Sequence, residues 1–509
     1  MIANLSSLTS SGVSSPLDPV RHRRAPLVES LRHYRAVGTV AFSTPGHKGG
    51  AAANEDLREM LGTSLFASDV WLNTADHDAI QREAEDLAAE AWGADRSFFL
   101  TNGSSAGNHA GLLALLRPGD EVVIARDFHT SLLTALIHTG ACPIFISPQV
   151  HSSLDINLGV RAEDVAAALS EHPNARLVVV TSPSYWGVTS DVAGIASVAH
   201  LHGVPLYVDE AWGPHLPFHP DLPCAAIMSG ADVAVTSAHK LLSSLSQGAI
   251  LNARGGRLDL GRLAAAVRMG QTTSPLVPIL ASLDACRRQM VLEGEQMLER
   301  TLELAAYARQ RLGSIPGITV SDAQRLGLPH ERFDATRLVI DVQGLGVSGF
   351  TVERTLRDRF GIAVEMSDLV GIVCLVTIGD RRASVDRLVS ALATVASERG
   401  VARLVAIGTP RSAGTVTAPG EQVCSPREAF FARSHAVPLA ASTGEVAAEL
   451  VVPYPPGIPV LIPGERITAT KIAYLAEITR RGASVRGPAD SRLATVRVVV
   501  PGVPGNPAA

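Results

Sequence analysis

The sequence predicts an α/β fold whose large domain contains a mostly parallel seven-stranded sheet. The main observation is that seven short apolar segments alternate with helical stretches, which is typical of βαβ units. These segments are expected to form strands near residues 97–101, 121–125, 143–147, 177–181, 205–209, 232–236 and 248–252. The chain also has 509 residues, more than a single core usually serves, so we expect two or three domains.

The remaining elements divide the chain into six segments. Apolar residues at helical spacing predict helices near 26–35, 77–92, 283–312 and 383–397. A stretch rich in Gly, Thr, Pro and Ala predicts a linker. The expected segments are a flexible arm (1–25), an N-terminal segment (26–75), the large domain (76–290), a smaller α/β domain (291–404), the linker (405–425) and a C-terminal α+β segment (426–509).

Composition limits the classes of protein to which the chain can belong. Charged residues make up 18% of it, against about 25% in a typical soluble domain, and we expect part of the apolar excess in a subunit interface. The net charge of −5 gives no basic surface for nucleic acid. Five widely spaced cysteines indicate neither a metal site nor a disulfide framework. Because we find neither a signal peptide nor about 18 consecutive apolar residues, we expect a cytoplasmic protein without membrane association.

Lys240 lies directly after an apolar segment, in the sequence Ser-Ala-His-Lys at 237–240. A lysine at the end of a buried strand loses its water, so its pKa falls toward neutrality and its neutral amine becomes a nucleophile. Such a lysine most often forms a Schiff base with a carbonyl, above all with pyridoxal phosphate. Ser237 and His239 would then bind the phosphate of this cofactor. A surface lysine on a turn is the alternative.

Asp209 ends the apolar segment before this one, about thirty residues upstream of Lys240. An acid at the carboxyl end of a strand faces the ligand crevice of an open α/β sheet. Pyridoxal phosphate withdraws electrons only while its ring nitrogen is protonated, and a buried aspartate supplies the negative partner. A helix N-cap is the alternative for Asp209 alone. The combination of both strand ends favours a cofactor site.

Hydroxyl and imidazole side chains follow two further predicted strands. Ser104 and Ser105 come after the strand near 97–101 and begin a helix, where N–H groups and hydroxyls form an anion site. Ordinary N-capping is the alternative for these serines. His129 comes after the strand near 121–125 and would stack on the cofactor ring, although a histidine after a strand is more often a polar loop residue.

Taken in this order, these residues resemble the pyridoxal-phosphate-dependent ornithine/lysine/arginine decarboxylases of bacteria. The resemblance runs over roughly residues 26–500, through the segments 43–50, 98–104, 181–187, 237–242, 271–275, 281–285, 453–459 and 463–465. It implies the aspartate-aminotransferase fold, also called PLP-dependent transferase-like or fold type I. It also implies the short form of the family, without the N-terminal regulatory domain, whose C-terminal decarboxylase domain would be the segment 426–509.

The resemblance also implies a role for each residue. Lys240 carries the cofactor, Asp209 pairs with its ring nitrogen and His129 stacks on its ring. His239 and Lys240 are both candidates for the proton donor to the α-carbon. The cofactor-binding residues implied in all are Ser104, Ser105, His129, Asp209, Trp212, Ser237, His239, Lys240, Thr272 and Thr273. Of these, Thr272 or Thr273 is expected to reach the phosphate bound by a partner subunit.

Glu465 and His215 are the implied substrate-binding residues, with Glu465 near the distal cationic group of the substrate. No metal is expected. The implied reaction is α-decarboxylation of lysine, arginine or ornithine to a polyamine-type amine and carbon dioxide, in a homodimer or a dimer of dimers. Two alternatives stay open, an aminotransferase and a regulatory protein that keeps the fold without turnover. An aminotransferase would need an arginine to hold the α-carboxylate of its substrate.

Overall fold

The structure, a computed structural model, describes residues 17–40, 42–69, 76–151, 153–154, 156–399, 414, 418–454 and 457–501. Its largest sheet has seven strands, and each begins and ends within one residue of its predicted position. These strands are β1 (Arg96–Leu100), β2 (Glu121–Ala125), β3 (Cys142–Ile146), β4 (Leu177–Thr181), β5 (Leu206–Asp209), β6 (Val233–Thr236) and β7 (Ala249–Ala253).

The sheet has the strand order β1-β7-β6-β5-β4-β2-β3. Strand β7 runs antiparallel to β1 and β6, whereas the other neighbours are parallel. Helices cover both faces of the sheet, so side chains on both sides of each strand are buried. This burial is the reason that the strands are apolar along nearly their whole length, as expected for parallel sheets. The predicted mostly parallel seven-stranded sheet is therefore confirmed.

Ten helices of the described residues belong to the N-terminal segment and the large domain. They are α1 (Pro19–His22), α2 (Pro26–Val37), α3 (Glu55–Ser68), α4 (His77–Trp92), α5 (Gly103–Leu115), α6 (Thr130–Thr139), α7 (Ala162–Glu171), α8 (Val192–Leu201), α9 (Ala238–Leu241) and α10 (Leu260–Gly270). One part of the core packs α5, α6 and α10 against the sheet, and another packs α7 and α8 against it. The carboxyl ends of the parallel strands stay uncovered by these helices and are available for a site.

A single long helix, α11 (Val277–Gly313), connects the large domain to the smaller α/β domain. It begins six residues before the predicted start at 283. Pro278 does not prevent this earlier start, since proline is tolerated in the first helical turn. The smaller domain contains β8 (Thr319–Ser321), β9 (Arg337–Asp341), α12 (Gly349–Phe360), β10 (Met366–Ser367), β11 (Gly371–Leu375) and α13 (Arg382–Arg399). Its sheet has the order β10-β11-β9-β8.

The C-terminal segment is mixed α and β. It contains α14 (Pro426–Phe431), β12 (Ser434–Pro438), β13 (Val452–Tyr454), α15 (Ala469–Arg480), β14 (Ser484–Arg486) and β15 (Thr495–Val499). Strand β12 pairs with β15 and β13 with β14, in two small antiparallel sheets. Its apolar side chains share one core with the smaller domain and with residues 154–188. This packing brings the C-terminal segment next to the carboxyl edge of the large sheet.

The structure describes only parts of the expected flexible arm and of the expected linker, and these parts contact the rest of the fold. Residues 1–16 of the expected arm lie outside the described residues, but helix α1 packs on α11, where Arg287 donates a hydrogen bond of 3.0 Å to the carbonyl oxygen of His22. Much of the expected linker also lies outside the described residues. Its last part joins the C-terminal segment, because Val423 N–H donates to the carbonyl oxygen of Gly464 over 2.9 Å. Among the described residues, no helix is both long and apolar enough to cross a bilayer.

Candidate active site

The main candidate site is a cavity at the carboxyl ends of β2, β4 and β5. It encloses about 520 Å³ of empty space, part of which is open to solvent. Five of the residues expected in the site line it, namely Ser104, His129, Asp209, Trp212 and Lys240. The parallel strands end at the same edge of the sheet, which is why residues from distant parts of the sequence meet here.

Asp209 is the last residue of β5 and is only 2% exposed. Its Oδ2 accepts a hydrogen bond of 2.9 Å from the side-chain amide of Asn108, and its Oδ1 accepts one of 3.2 Å from the N–H of Ala211. The hydroxyl of Tyr207 donates in turn to the amide oxygen of Asn108 over 2.9 Å. The carboxylate is therefore held in one orientation at the bottom of the cavity.

Lys240 lies in the short helix α9, directly after β6. Its Nζ is 3.9 Å from the centroid of the Trp212 ring, a cation–π distance. Burial lowers the pKa of Lys240 to about 8, while the negative charges of Asp209 and Glu365 oppose this decrease. The lowered pKa increases the share of the neutral amine near neutral pH, and the neutral amine is the nucleophile.

His129 is the N-cap residue of α6, and its ring faces the same cavity. Its Nδ1 accepts a hydrogen bond of 3.3 Å from the N–H of Ser131 and lies 2.8 Å from the hydroxyl of that residue. We therefore assign the ring proton to Nε2. Burial lowers the pKa of His129, Asp209 opposes this decrease and Lys240 adds to it. A neutral planar ring is suited to stacking on a heterocycle.

The expected phosphate ligands lie on two adjoining helix starts. Gly103 N–H donates to the carbonyl oxygen of Gln247 over 2.8 Å, and His239 N–H donates to that of Gly248 over 3.2 Å, so the starts of α5 and α9 are neighbours. Ser105, Ser237 and His239 do not line the cavity itself. However, the Ser237 hydroxyl is fully buried and has no hydrogen-bond partner within the described part of the chain. A phosphate group at this point would satisfy it.

Trp212 and His215, which were expected beside the cofactor and the substrate, lie in different surroundings. The indole of Trp212 lines the cavity, and the guanidinium carbon of Arg337 is 5.2 Å from its ring centroid. His215 does not line the cavity, contrary to its expected role in substrate binding, and its Nε2 is 3.1 Å from Oδ2 of Asp334. Although burial would raise the pKa of Asp334, His215 and Arg337 hold it well below its usual range. The buried cluster of His215, Asp334 and Arg337 therefore contacts Trp212 outside the cavity.

Glu465 also corrects an expectation, because it does not line the cavity. Its Oε2 accepts a hydrogen bond of 3.1 Å from Arg126, and its Oε1 accepts one of 2.6 Å from Lys471 and another from the N–H of Gly420. Both oxygens of this buried carboxylate are therefore occupied. Arg126 belongs to the large domain and Lys471 to the C-terminal segment, so Glu465 joins two parts of the fold.

Thr272 and Thr273 are exposed in the turn between α10 and α11, outside this cavity. The hydroxyl of Thr272 accepts a hydrogen bond of 3.1 Å from the N–H of Ser274. Gln271, just before them, accepts a hydrogen bond of 3.1 Å from the N–H of Thr101 at the end of β1. The turn is thereby fixed beside the start of α5, but the single chain does not bring either threonine to its own cavity.

Sequence reasoning missed several polar residues of the site, among them Asn108, Asp127 and Asn157. The signal for Asn108 was present, because it lies one helical turn after Ser104 and on the same face of α5. Asp127 directly follows the end of β2, near His129, and lines the cavity. Asn157 also lines the cavity, but it comes from an irregular loop after β3, where no local pattern marks it.

Comparison with known proteins gives two family matches and several long alignments. Residues 25–327 match the Orn/Lys/Arg decarboxylase major domain, and residues 413–487 match the C-terminal domain of the same family. The chain is similar to an arginine decarboxylase of Bacillus subtilis, with 40% identity over 93% of this chain and 97% of that protein. It is also similar to an arginine decarboxylase of Halalkalibacterium halodurans, with 37% identity over 94% of this chain and 98% of that protein.

The solved structures show the same fold. The lysine decarboxylase of Francisella novicida superposes with a TM-score of 0.80 at 22% identity, covering 94% of this chain and 82% of that chain. An alanine–glyoxylate aminotransferase from Nostoc superposes with a TM-score of 0.51 at 19% identity, covering 64% of this chain and 90% of that chain. The fold class predicted from the sequence is therefore confirmed.

Proposed function

Because the chain belongs to the Orn/Lys/Arg decarboxylase family, and is thus a decarboxylase of basic amino acids, we propose that arginine is its substrate. The two relatives that are named arginine decarboxylase, over more than nine-tenths of this chain, support arginine rather than lysine or ornithine. The product would be the guanidinium-bearing amine, which is of the polyamine type, together with carbon dioxide. The main structural support for the proposed reaction is that Lys240 and Asp209 line the same cavity.

The cofactor that these residues fit is pyridoxal phosphate. When bound, it supplies a protonated heterocycle that draws electrons from the α-carbon of the substrate. Lys240, with its pKa of about 8, provides the amine for the cofactor's aldehyde. The carboxylate of Asp209 would hold the proton on the ring nitrogen, and the ring of His129 would pack against the heterocycle.

The other end of the cofactor is a phosphate, for which the starts of α5 and α9 are suited. Ser104 and Ser105 lie in the first turn of α5, a 13-residue helix whose first N–H groups could bind an anion. Ser237 offers its unpartnered buried hydroxyl, and His239 lies beside it. The orphaned hydroxyl of Ser237 is the specific feature of this chain that fits a phosphate.

Decarboxylation needs an environment in which the α-carboxylate loses its water. The cavity supplies it with the aromatic rings of Phe128, Tyr185, Trp186 and Trp212. A dry carboxylate is raised in energy relative to the dispersed charge of the transition state. Among the described residues that line the cavity there is no arginine, which an aminotransferase would use to hold this carboxylate. The aromatic rings of the lining therefore suit the loss of carbon dioxide.

Lys240 is the proposed proton donor to the α-carbon. Its Nζ faces the cavity, and a pKa of about 8 lets it both hold and release a proton near neutral pH. His239 is the weaker candidate, because its Nδ1 donates to the carbonyl oxygen of Gly248 over 2.9 Å and its ring does not line the cavity.

We further propose that a dimer is the active unit, in which Thr272 and Thr273 reach the phosphate bound by the partner. Both threonines are exposed in this chain, and Met269 and Leu276 near them are 79% and 40% exposed. Mixing inactive Lys240→Ala subunits with inactive Thr273→Asp subunits tests this arrangement. In a mixed dimer, one site has an intact Lys240 and an intact threonine, so activity should return. If the mixture stays inactive although mixed dimers form, sharing of residues between subunits is excluded.

Turnover assays test the proposed reaction. The purified protein, supplied with pyridoxal phosphate, should convert arginine to its amine and carbon dioxide faster than it converts lysine or ornithine. A Lys240→Ala variant should lose this activity, whereas a Lys48→Ala variant, changed at an exposed position, should keep it. Formation of a keto acid would instead indicate an aminotransferase. Cofactor binding without any product would indicate a regulatory protein.

A further inference from the structure

We propose that Asp127, together with the side-chain amide of Asn157, binds the distal cationic group of the substrate and thereby determines the preference among basic amino acids. The proposal rests on the proposed function, since it takes arginine as the preferred substrate. Both residues line the cavity that also contains Lys240 and Asp209. The ligand chemistry that they would recognise is a planar guanidinium group.

Asp127 follows β2 and is 8% exposed. Its Oδ1 is buried and has no hydrogen-bond partner among the residues that the structure describes. The adjacent cation does not supply one, because the guanidinium of Arg126 donates to the carbonyl oxygen of Val460 over 3.2 Å and to Glu465 over 3.1 Å. A buried carboxylate oxygen without a donor is unfavourable, and a cationic ligand in the cavity would provide the donor.

The other carboxylates near the cavity are already in use. Asp209 has both of its oxygens hydrogen-bonded, by Asn108 and by the N–H of Ala211, and it is the proposed partner of the cofactor ring. Glu465 is occupied by Arg126 and Lys471. Glu365 interacts with the charge of Lys240 but lines a separate cavity of the smaller domain. Asp127 is therefore the acidic group of this cavity that is available to a substrate.

Asn157 adds a second acceptor to the same cavity. The residue is 1% exposed, and neither Oδ1 nor Nδ2 of its buried amide is hydrogen-bonded within the described ranges. Two unpartnered acceptors from separate segments, one on the β2 side and one on the loop after β3, indicate a polar ligand group between them. A substrate cation in the cavity would donate hydrogen bonds to both acceptors at once.

A guanidinium group matches these acceptors better than an ammonium group does. It presents five N–H donors in one plane, so it can bind a carboxylate and an amide oxygen side by side. Its flat, weakly hydrated face also stacks on aromatic rings, and Phe128, Tyr185 and Trp186 line the same cavity. Burial raises the pKa of Asp127 to about 7, so a bound cation would also favour the charged carboxylate.

The Asp127→Asn variant tests the proposal, because it keeps the shape of the side chain and removes its charge. In the holoenzyme, we expect KM for arginine to rise at least tenfold, with a smaller change in kcat and with the same amount of bound cofactor. Asn157→Ala should raise KM for arginine less, and it provides a second test if the first variant folds poorly. Glu163→Gln, which removes a charge from an exposed position of α7, should leave all these values unchanged.

The same assays with lysine separate this proposal from the proposed function. If the wild-type enzyme prefers lysine, arginine is refuted as the substrate, yet a raised KM for lysine in Asp127→Asn would still support cation binding by Asp127. If KM for arginine and for lysine is unchanged in Asp127→Asn, the proposal is overturned. It is also overturned if this variant binds pyridoxal phosphate more weakly while its KM values stay normal, since Asp127 would then belong to the cofactor site.

Discussion

The side-chain amide of Asn108 donates a hydrogen bond of 2.9 Å to Oδ2 of Asp209. Asn108 is on α5, one helical turn after Ser104, which belongs to the proposed phosphate site. A single helix therefore serves both ends of the proposed cofactor site, with Ser104 at the phosphate and Asn108 acting through Asp209 at the ring. The amide of Asn108 is itself fixed, because it donates to the hydroxyl of Ser131 over 2.8 Å and accepts from that of Tyr207 over 2.9 Å.

The first prediction concerns this network. Asn108→Ala removes a donor from Asp209 and an acceptor from Tyr207, so we expect pyridoxal phosphate to bind about tenfold more weakly, which corresponds to about 1.4 kcal/mol. Titration of the apoenzyme with the cofactor measures this change. The control is Asn54→Ala, which removes the N-cap of α3 and should cost about 1 kcal/mol of stability with no change in cofactor affinity. Equal cofactor affinity in Asn108→Ala and wild type would contradict the proposed role.

The second prediction is a pH dependence of cofactor attachment. The neutral amine of Lys240 reacts with the aldehyde, and burial lowers the pKa of this amine to about 8. The rate of attachment to the apoenzyme should therefore rise as the pH increases toward 8 and should level off above it. Rapid-mixing absorbance measurements follow this rate. A rate that keeps rising to the ordinary lysine pKa of about 10.4 would show that Lys240 is not buried in this way.

The third prediction concerns Glu465. Glu465→Gln leaves Arg126 and Lys471 as buried cations without their anion, so we expect a loss of about 3–5 kcal/mol in the free energy of unfolding. Urea unfolding of the apoenzyme measures it. The matched control is Glu421→Gln, which breaks an exposed ion pair with Arg466 and should leave the free energy of unfolding nearly unchanged. A raised KM in Glu465→Gln at unchanged stability would instead support substrate binding by Glu465.

The strands and the central residues of the site were predictable from local sequence. Parallel strands that are buried on both faces are continuous apolar segments, and Lys240, Asp209 and His129 each follow such a segment. Since parallel strands end at the same edge, the order of these residues in the sequence was enough to predict their meeting. The start of α11 was less predictable. A proline usually marks the end of a helix, but Pro278 lies in the first turn of α11, where proline is tolerated.

The positions of the Glu465 and His215 side chains were not predictable, because they depend on contacts with residues that are distant in the sequence. Glu465 pairs with Arg126, which is 339 residues away in the sequence, and His215 lies next to Asp334. A carboxylate or an imidazole in a motif has the same local sequence whether it faces a substrate or a buried charge. Asn157 was missed for a related reason, since a loop residue has no periodicity that indicates the direction of its side chain.

Reductive trapping of the cofactor on the protein tests the central proposal most directly. The chain has three lysines, Lys48, Lys240 and Lys471, so borohydride treatment of the holoenzyme followed by peptide mapping gives an unambiguous site of attachment. We predict that the label is on Lys240 alone and that Lys240→Ala carries none. Lys471 is an internal control, because its pKa is also about 8 but Glu465 holds its ammonium group. Label on Lys48 or Lys471, or no label at all, would contradict the account.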